Sequence, residues 1–190
     1  MIEIEGYHGT DLECAQKIVN TEFSFNYSET HWLGNGSYFF TDESLAKWWT
    51  HNPSTRFGVR VNTGAILKCT ILLEEGHYLD LRNLQHFEFM VKVYYEEFLP
   101  KLKEGVFKLT KVNIPRIRCA FCDFLNTRYD IGVIIANFSE PEQSYLPIEY
   151  ATSNAILNLF YIETQICVFD NKYITDKIIY YIVKEDQEDV

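Results

Sequence analysis

No stretch of this 190-residue chain approaches the ~20 consecutive apolar residues that a membrane-spanning helix requires. The opening residues, MIEIEGYHGT, lack a basic start and an apolar run, so no secretory leader is expected there. Internal repeats and low-complexity linkers are missing as well, which excludes solenoids and arrays. Positive charge is scarce. The chain has 17 Lys and Arg against 27 Asp and Glu, a formal net charge of −10. An acidic surface repels phosphate backbones, so a broad nucleic-acid face is disfavoured. A local basic cleft around Lys108, Lys111, Arg116 and Arg118 is the arrangement that would offset this. Cysteine is sparse, with five residues at odd spacing (14, 69, 119, 122 and 167), which makes no disulfide framework. Cys119 and Cys122 form a C-x-x-C pair, but a structural zinc needs a second pair that is not there. Both read as residues of an amphipathic segment, and a reducing, cytoplasmic location is expected.

What the chain does have is an ordinary soluble composition, 47% apolar and 23% charged, with length for one domain. Aromatics reach 16%, including 13 Tyr and 14 Phe. Most fill a core, and a surplus suits a pocket that stacks planar rings.

Residues 2–8 alternate and predict a first strand ending in a Gly-containing bend. Asp11 predicts the N-cap of a helix over 12–20 whose apolar face is Leu12, Ala15, Ile18 and Val19. A polar loop over 24–37 leads to a short aromatic strand, 38–40. Thr41 or Asp42 then caps a helix over 43–51 that carries Trp48 and Trp49, both expected in the core. Strands are expected at 56–61, 65–73 and 79–81, with a turn at Gly76. A helix over 84–103 and a weaker one over 115–126 fill the middle, and the dense charges at 96–104 mark a solvated face. A buried strand over 130–138, a loop over 139–146, a short helix over 151–159 and strands over 165–169 and 178–183 complete the chain. The layout is α+β. One domain over 1–184 and a frayed acidic tail, 185–190, are expected.

Three segments carry the functional signal. The first is Tyr7-His8-Gly9-Thr10. The second is Gly34-Asn35-Gly36-Ser37-Tyr38-Phe39-Phe40, followed by a helix containing Ala46. The third is Thr164-Gln165-Ile166-Cys167-Val168-Phe169-Asp170. Each alone is weak, since a His-Gly or a Gly-x-Gly more often marks a turn or bulge. In their order and spacing they resemble the ADP-ribosyltransferases of the diphtheria-toxin-like and poly(ADP-ribose)-polymerase-like branch, including small bacterial members. That branch carries a His-Gly on its first strand, a Gly-x-Gly-x-Tyr-Phe strand and an acidic residue on a late strand. Asp130-Ile131-Gly132-Val133 through Asn137 also resembles a late strand of the small bacterial members. Residues 74–125 are not covered by the resemblance.

The resemblance implies a split, strongly twisted sheet that holds NAD as co-substrate. His8, Gly9, Thr10, Gly34, Gly36, Tyr38 and Phe39 would line the site. Gly9 would let backbone approach the nicotinamide carboxamide. Tyr38 would stack on the pyridinium, and the His8 imidazole would donate to a ribose hydroxyl. His31, in the loop ahead of the Gly-rich strand, is a weaker pocket candidate. The family's catalytic Glu stabilises positive charge on the ribose, and this chain has Gln165 at that position. A charge at about 4 Å is worth roughly 4 kcal/mol at an effective dielectric near 20, nearly three powers of ten in rate. Glu163 lies two residues earlier, on the same face of an extended strand. Either residue fills the role by this reading.

The expected function is mono-ADP-ribosyl transfer to a macromolecular acceptor, protein rather than nucleic acid, with nicotinamide released. A bacterial toxin, effector or defence setting, with a cognate antitoxin as partner and no membrane, follows from the resemblance alone. The alternatives are a catalytically weak NAD- or ADP-ribose-binding module, an NAD glycohydrolase, and an interaction protein whose motifs are coincidental.

Overall fold

The computed structural model describes residues 1–51, 63–109, 112–139 and 162–184. The expected strand at 56–61, the helix at 151–159, the tail at 185–190 and all of the loop at 139–146 except residue 139 lie outside them. So does Lys111.

Asp11 caps its helix as expected. Its carboxylate accepts from the Cys14 amide at 2.7 Å, and α1 (Leu12–Asn20) follows. Asp42 accepts from the Ser44 amide at 2.8 Å at the start of α2 (Glu43–His51). Asn83 caps α3 (Leu84–Val93), which continues without a break through a π-helical turn (Tyr94–Phe98) into α4 (Leu99–Lys103). The helix expected at 115–126 is longer. Asn113 accepts from the Arg116 amide, Pro115 fits the first turn, and α5 runs Ile114–Tyr129 until Asp130 turns left-handed at φ 56°. That turn also delays the next strand, which begins at Val133 rather than Asp130.

The strands are β1 (Ile2–Asp11), β2 (Ser37–Phe40), β3 (Thr63–Leu73), β4 (Tyr78–Asp80), β5 (Val133–Ser139), β6 (Ile162–Val168) and β7 (Ile174–Lys184). They form one sheet in the order β4-β5-β6-β2-β1-β3-β7, antiparallel except for the parallel pair β4–β5. A parallel connection needs a crossover, and the helical segment from α3 to α5 supplies it. The architecture is therefore mixed α and β around a seven-stranded sheet, in keeping with the α+β expectation. The expected bend after His8 is absent. Gly9, Thr10 and Asp11 stay in the strand because they pair with Ile66, Ala65 and Gly64 of β3.

Two apolar layers cover the sheet. On one face α1 and the residues after it pack Ala15 and Phe23 against Phe39, Leu67, Ile71, Val133, Ile135, Ile166 and Val168. On the other, the helices of the middle pack Val93, Phe98, Phe121 and Leu125 against Ile134, Ala136 and Cys167. Strand alternation sends neighbouring residues of β5 and β6 to opposite layers, which is why each carries an unbroken apolar run, 133–136 in β5 and 166–168 in β6. Residues 74–125, which the motifs left unassigned, thus build most of the second layer. Among the described residues no helix is long and apolar enough to cross a membrane.

Candidate functional site

Strands β1 and β3 pair along their full length, from Ile2 with Leu73 to Asp11 with Gly64. Strands β2 and β6 pair from Ser37 with Val168 to Phe40 with Gln165. Between β1 and β2 there is a single bridged pair, Tyr7 with Phe40. The sheet is two well-knit halves joined at one stitch. His8, the next residue, fills the parting. Its Nδ1 lies 2.7 Å from the Tyr38 carbonyl oxygen. A carbonyl only accepts, so Nδ1 carries the proton. Burial holds the imidazole below its ordinary pKa, opposed in part by this hydrogen bond. The neutral ring then has Nε2 as an acceptor. The sequence-based expectation of a donating imidazole changes accordingly: with Nδ1–H given to the Tyr38 carbonyl, the free ring nitrogen Nε2 can only accept a hydrogen bond. The ring packs edge-on to Phe23 at 5.2 Å and lies 5.8 Å from Phe39.

Tyr38 turns the other way. Its ring joins the second apolar layer, in register with Cys167. The hydroxyl accepts from the Leu33 amide at 2.6 Å and donates to the Gly34 carbonyl at 2.8 Å. Burial pushes the phenol far above its ordinary pKa, so it stays a neutral donor. The His31 ring stands edge-on to it at 5.9 Å. Phe39 faces the first layer, fully buried. His8 and Tyr38 therefore meet through a backbone carbonyl, while their rings border opposite layers.

The Gly-rich loop is held from α5. Gly34 adopts φ +91°, and a Cβ there would sit 2.7 Å from the Asp123 Oδ1. Asp123 accepts from the Asn35 amide nitrogen at 2.6 Å and from its side-chain Nδ2 at 2.7 Å. Asn35 Oδ1 in turn accepts from the Ser28 amide at 2.8 Å. Asp123 escaped the sequence reading, because an Asp within a helix signals nothing until the loop is laid against it. Gly36 leads into β2 beside Cys167 and Val168. Gly9 has a different partner from the one expected. A Cβ on it would fall 2.2 Å from the Ala46 carbonyl oxygen, so its smallness is taken up by α2 lying on the strand. Thr10 continues β1 opposite Ala65.

On the late strand Glu163 and Gln165 are both buried, and the Gln165 amide donates to the Glu163 carboxylate. Burial raises the Glu163 pKa, and the hydrogen bond from Gln165 offsets part of the rise. Gln165 stands opposite Phe40 on one side and Ala136 on the other, and Glu163 stands opposite Phe138. Alternation puts Tyr38, Gln165 and Glu163 on one face of the sheet. The amide and the carboxylate form one unit, so the two sequence candidates are coupled rather than exclusive.

Of the remaining expectations, Arg116 is bound to Glu29 at 2.7 Å, which withdraws it from any basic cleft. Cys119 donates to the Ser28 carbonyl at 3.2 Å, and Cys122 packs in the second layer. Burial raises the two thiols to about 11 and about 12. Among the described residues no group of three or more His, Cys, Asp or Glu side chains stands ready to hold a metal. Trp48 and Trp49 are only partly buried, at 6.1 Å from each other, whereas Ala46 and Thr50 of the same helix are buried.

No family model matches the chain. No solved structure matches it. An uncharacterised protein of Methanocaldococcus jannaschii is similar to it, with 28% identity over an alignment that covers 95% of this chain and 94% of that protein.

Proposed function

We propose that the chain binds NAD where the two halves of the sheet part, and transfers its ADP-ribose to a protein acceptor with release of nicotinamide. The observation that carries the reading is the single stitch between β1 and β2, with the His8 imidazole set beside it. In this reading the ligand lies along that parting, bordered by both halves of the sheet. His8 stands at its edge, with Tyr38 and the Glu163–Gln165 pair on the adjoining strands. The resemblance of the three sequence segments supplies the identity of the ligand.

In this reading the neutral His8 accepts a ribose hydroxyl through Nε2 and orients the sugar. The Tyr38 ring borders the opposite layer from the imidazole, so in this reading the nucleotide threads the parting between β1 and β2 to lay its pyridinium on that ring, whose hydroxyl stays engaged with the loop. As C–N cleavage leaves positive charge on the ribose, the Glu163 carboxylate stabilises it when ionised. Gln165 holds that carboxylate in place and lends it a hydrogen bond. Because burial favours the protonated form of Glu163, turnover rises with pH as this group ionises.

A second reading has its own observation. The Gln165 amide is already spent on Glu163, and a family-type ionised Glu is absent from position 165. This favours a module that binds NAD or ADP-ribose and turns it over slowly, or passes it to water.

The test has two readouts on the full chain. NAD at 100-fold excess over its dissociation constant should stabilise a binder by about 2.7 kcal/mol in thermal denaturation. Nicotinamide release with label transferred to protein supports the transferase. Release with free ADP-ribose supports hydrolysis, and stabilisation without release supports the module. An NAD-independent melting curve sinks all three.

A further inference from the structure

The second apolar layer is not filled. Between α3 with its π-helical turn, the N-terminal half of α5 and the sheet lies an open groove of about 450 Å³, lined by Leu33, Met90, Tyr94, Phe121, Ala136 and Phe138. That is the size range of small-molecule sites. Its walls are almost wholly apolar, and one charged side chain, Arg118, borders it. Among the described residues the buried Arg118 Nε has no hydrogen-bond partner. Among the described residues Arg118 also takes part in none of the ion pairs. A guanidinium has five donors and no acceptor, and leaving one buried and unmet is costly. Its neighbour Arg116, two residues away, has its carboxylate in Glu29. The contrast marks Arg118 as a cation held for something else.

We infer that this groove binds an acyl carboxylate, with its anionic head on Arg118 and its hydrocarbon chain along the apolar walls. Charge complementarity selects the head, since a carboxylate matches the planar fork of a guanidinium in two parallel hydrogen bonds. The walls select the tail. An extended peptide laid here would bury backbone N–H and C=O groups with almost nothing to receive them, whereas a hydrocarbon chain has no such groups. The inference does not depend on the NAD reading, although Ala136 and Phe138 also border Gln165 and Glu163 in register.

The probe is dodecanoate, titrated calorimetrically into the full chain below its own self-association concentration, with dodecanol as the uncharged control. Saturable binding of dodecanoate is expected, with dodecanol weaker. Arg118→Gln should weaken dodecanoate by about tenfold or more, as befits loss of a charge-assisted pair, and leave dodecanol unchanged. Should Arg118→Gln disturb the fold by circular dichroism, Tyr95→Glu at the exposed rim serves instead. It sets a repelling charge at the mouth and should weaken dodecanoate more than dodecanol. Equal affinity of wild type and variant for dodecanoate overturns the proposal, as does equal affinity of the wild type for acid and alcohol. Absence of binding overturns it too, including the case where light scattering shows a second copy of the chain, or a bound helical peptide, covering the groove. NAD stabilisation is measured on the same variants, so loss of one ligand is seen separately from loss of the other.

Discussion

The two apolar layers of this protein are built on different terms. The first, on the α1 side, is closed: Phe39, Leu67, Ile71, Val133, Ile135 and Ile166 are all fully buried around the sheet. The second is an aromatic stack in which Phe98 lies 4.5 Å from Phe107 and 4.9 Å from Phe121, beside an open groove and the Arg118 side chain, whose buried Nε meets no hydrogen-bond partner among the described residues. It also receives the Gly-rich loop, the Tyr38 ring and the Glu163–Gln165 pair. A closed layer maximises apolar burial. An open one with polar groups at its margin gives up stability to keep surface available, and that is where ligand sites are expected.

The sharpest way to break the contrast is to hollow each layer in turn. Phe39→Ala should cost about 3–5 kcal/mol in chemical denaturation, because a large ring leaves a sealed site that collapses poorly. Phe98→Ala should fall at the lower end of that range if the neighbouring groove lets the aromatic stack relax. A larger loss at Phe98 than at Phe39 would reverse the ranking of the two layers.

Next in size is the clamp between α5 and the loop. Asp123→Ala removes a charged acceptor from two nitrogens of Asn35, one of them buried backbone. A loss of about 2–3 kcal/mol is expected, with faster hydrogen exchange confined to residues 33–37. Unchanged exchange there would show that the loop holds itself.

Tyr38→Phe separates the ring from its hydroxyl. It leaves the π surface and deletes two hydrogen bonds to the loop, at a cost of about 1–2 kcal/mol. NAD affinity should persist in this variant and fall in Tyr38→Ala. Equal affinities in both would remove the ring from the site.

The smallest effect is a pH dependence. The folded pKa of Glu163 lies above its unfolded value, so the folded state holds the proton more tightly. Its contribution is full below the unfolded pKa and is lost as pH rises through the folded one. His8 has the opposite sign: its folded pKa lies below the unfolded value, so stability is lost as pH falls below about 6.5, until the folded imidazole also protonates. Glu163→Gln should therefore be more stable than wild type at neutral pH, with turnover reduced. Its stability profile should lose the decline above the ordinary carboxylate range and keep the decline on the acid side of neutrality. A wild-type profile in this variant would place the titration on another group.

Local signals in the sequence were enough to locate most elements. Asp11 and the α1 stripe, the aromatic 38–40 strand, the apolar runs of β3, β5 and β6 and the long helix from Leu84 were readable because caps and periodicity act over a few residues. The boundary errors had two sources, a distant strand that overrode a local cue and a left-handed residue that the sequence did not announce. Gly9 reads as a bend, yet β3 keeps it extended. Gly132 reads as strand, yet the left-handed Asp130 holds the strand back to Val133. The candidate residues His8, Tyr38, Glu163 and Gln165 came from the order and spacing of three motif segments. Asp123 was not readable, and Arg118 was readable only as one member of a basic cluster, because their surroundings are a loop and a groove assembled from segments far apart in the chain.

Composition and periodicity alone settled the mixed α and β character and the excess of acidic over basic residues. Those properties are written in side-chain type and in repeats of two or 3.6 residues. Packing alone decided which way each side chain faces, that His8 and Tyr38 touch through a carbonyl with their rings on opposite layers, and that Arg116 pairs with Glu29 while Arg118 lies along an apolar groove. Such facts depend on which strands lie side by side, and strand order is fixed only when both layers close at once.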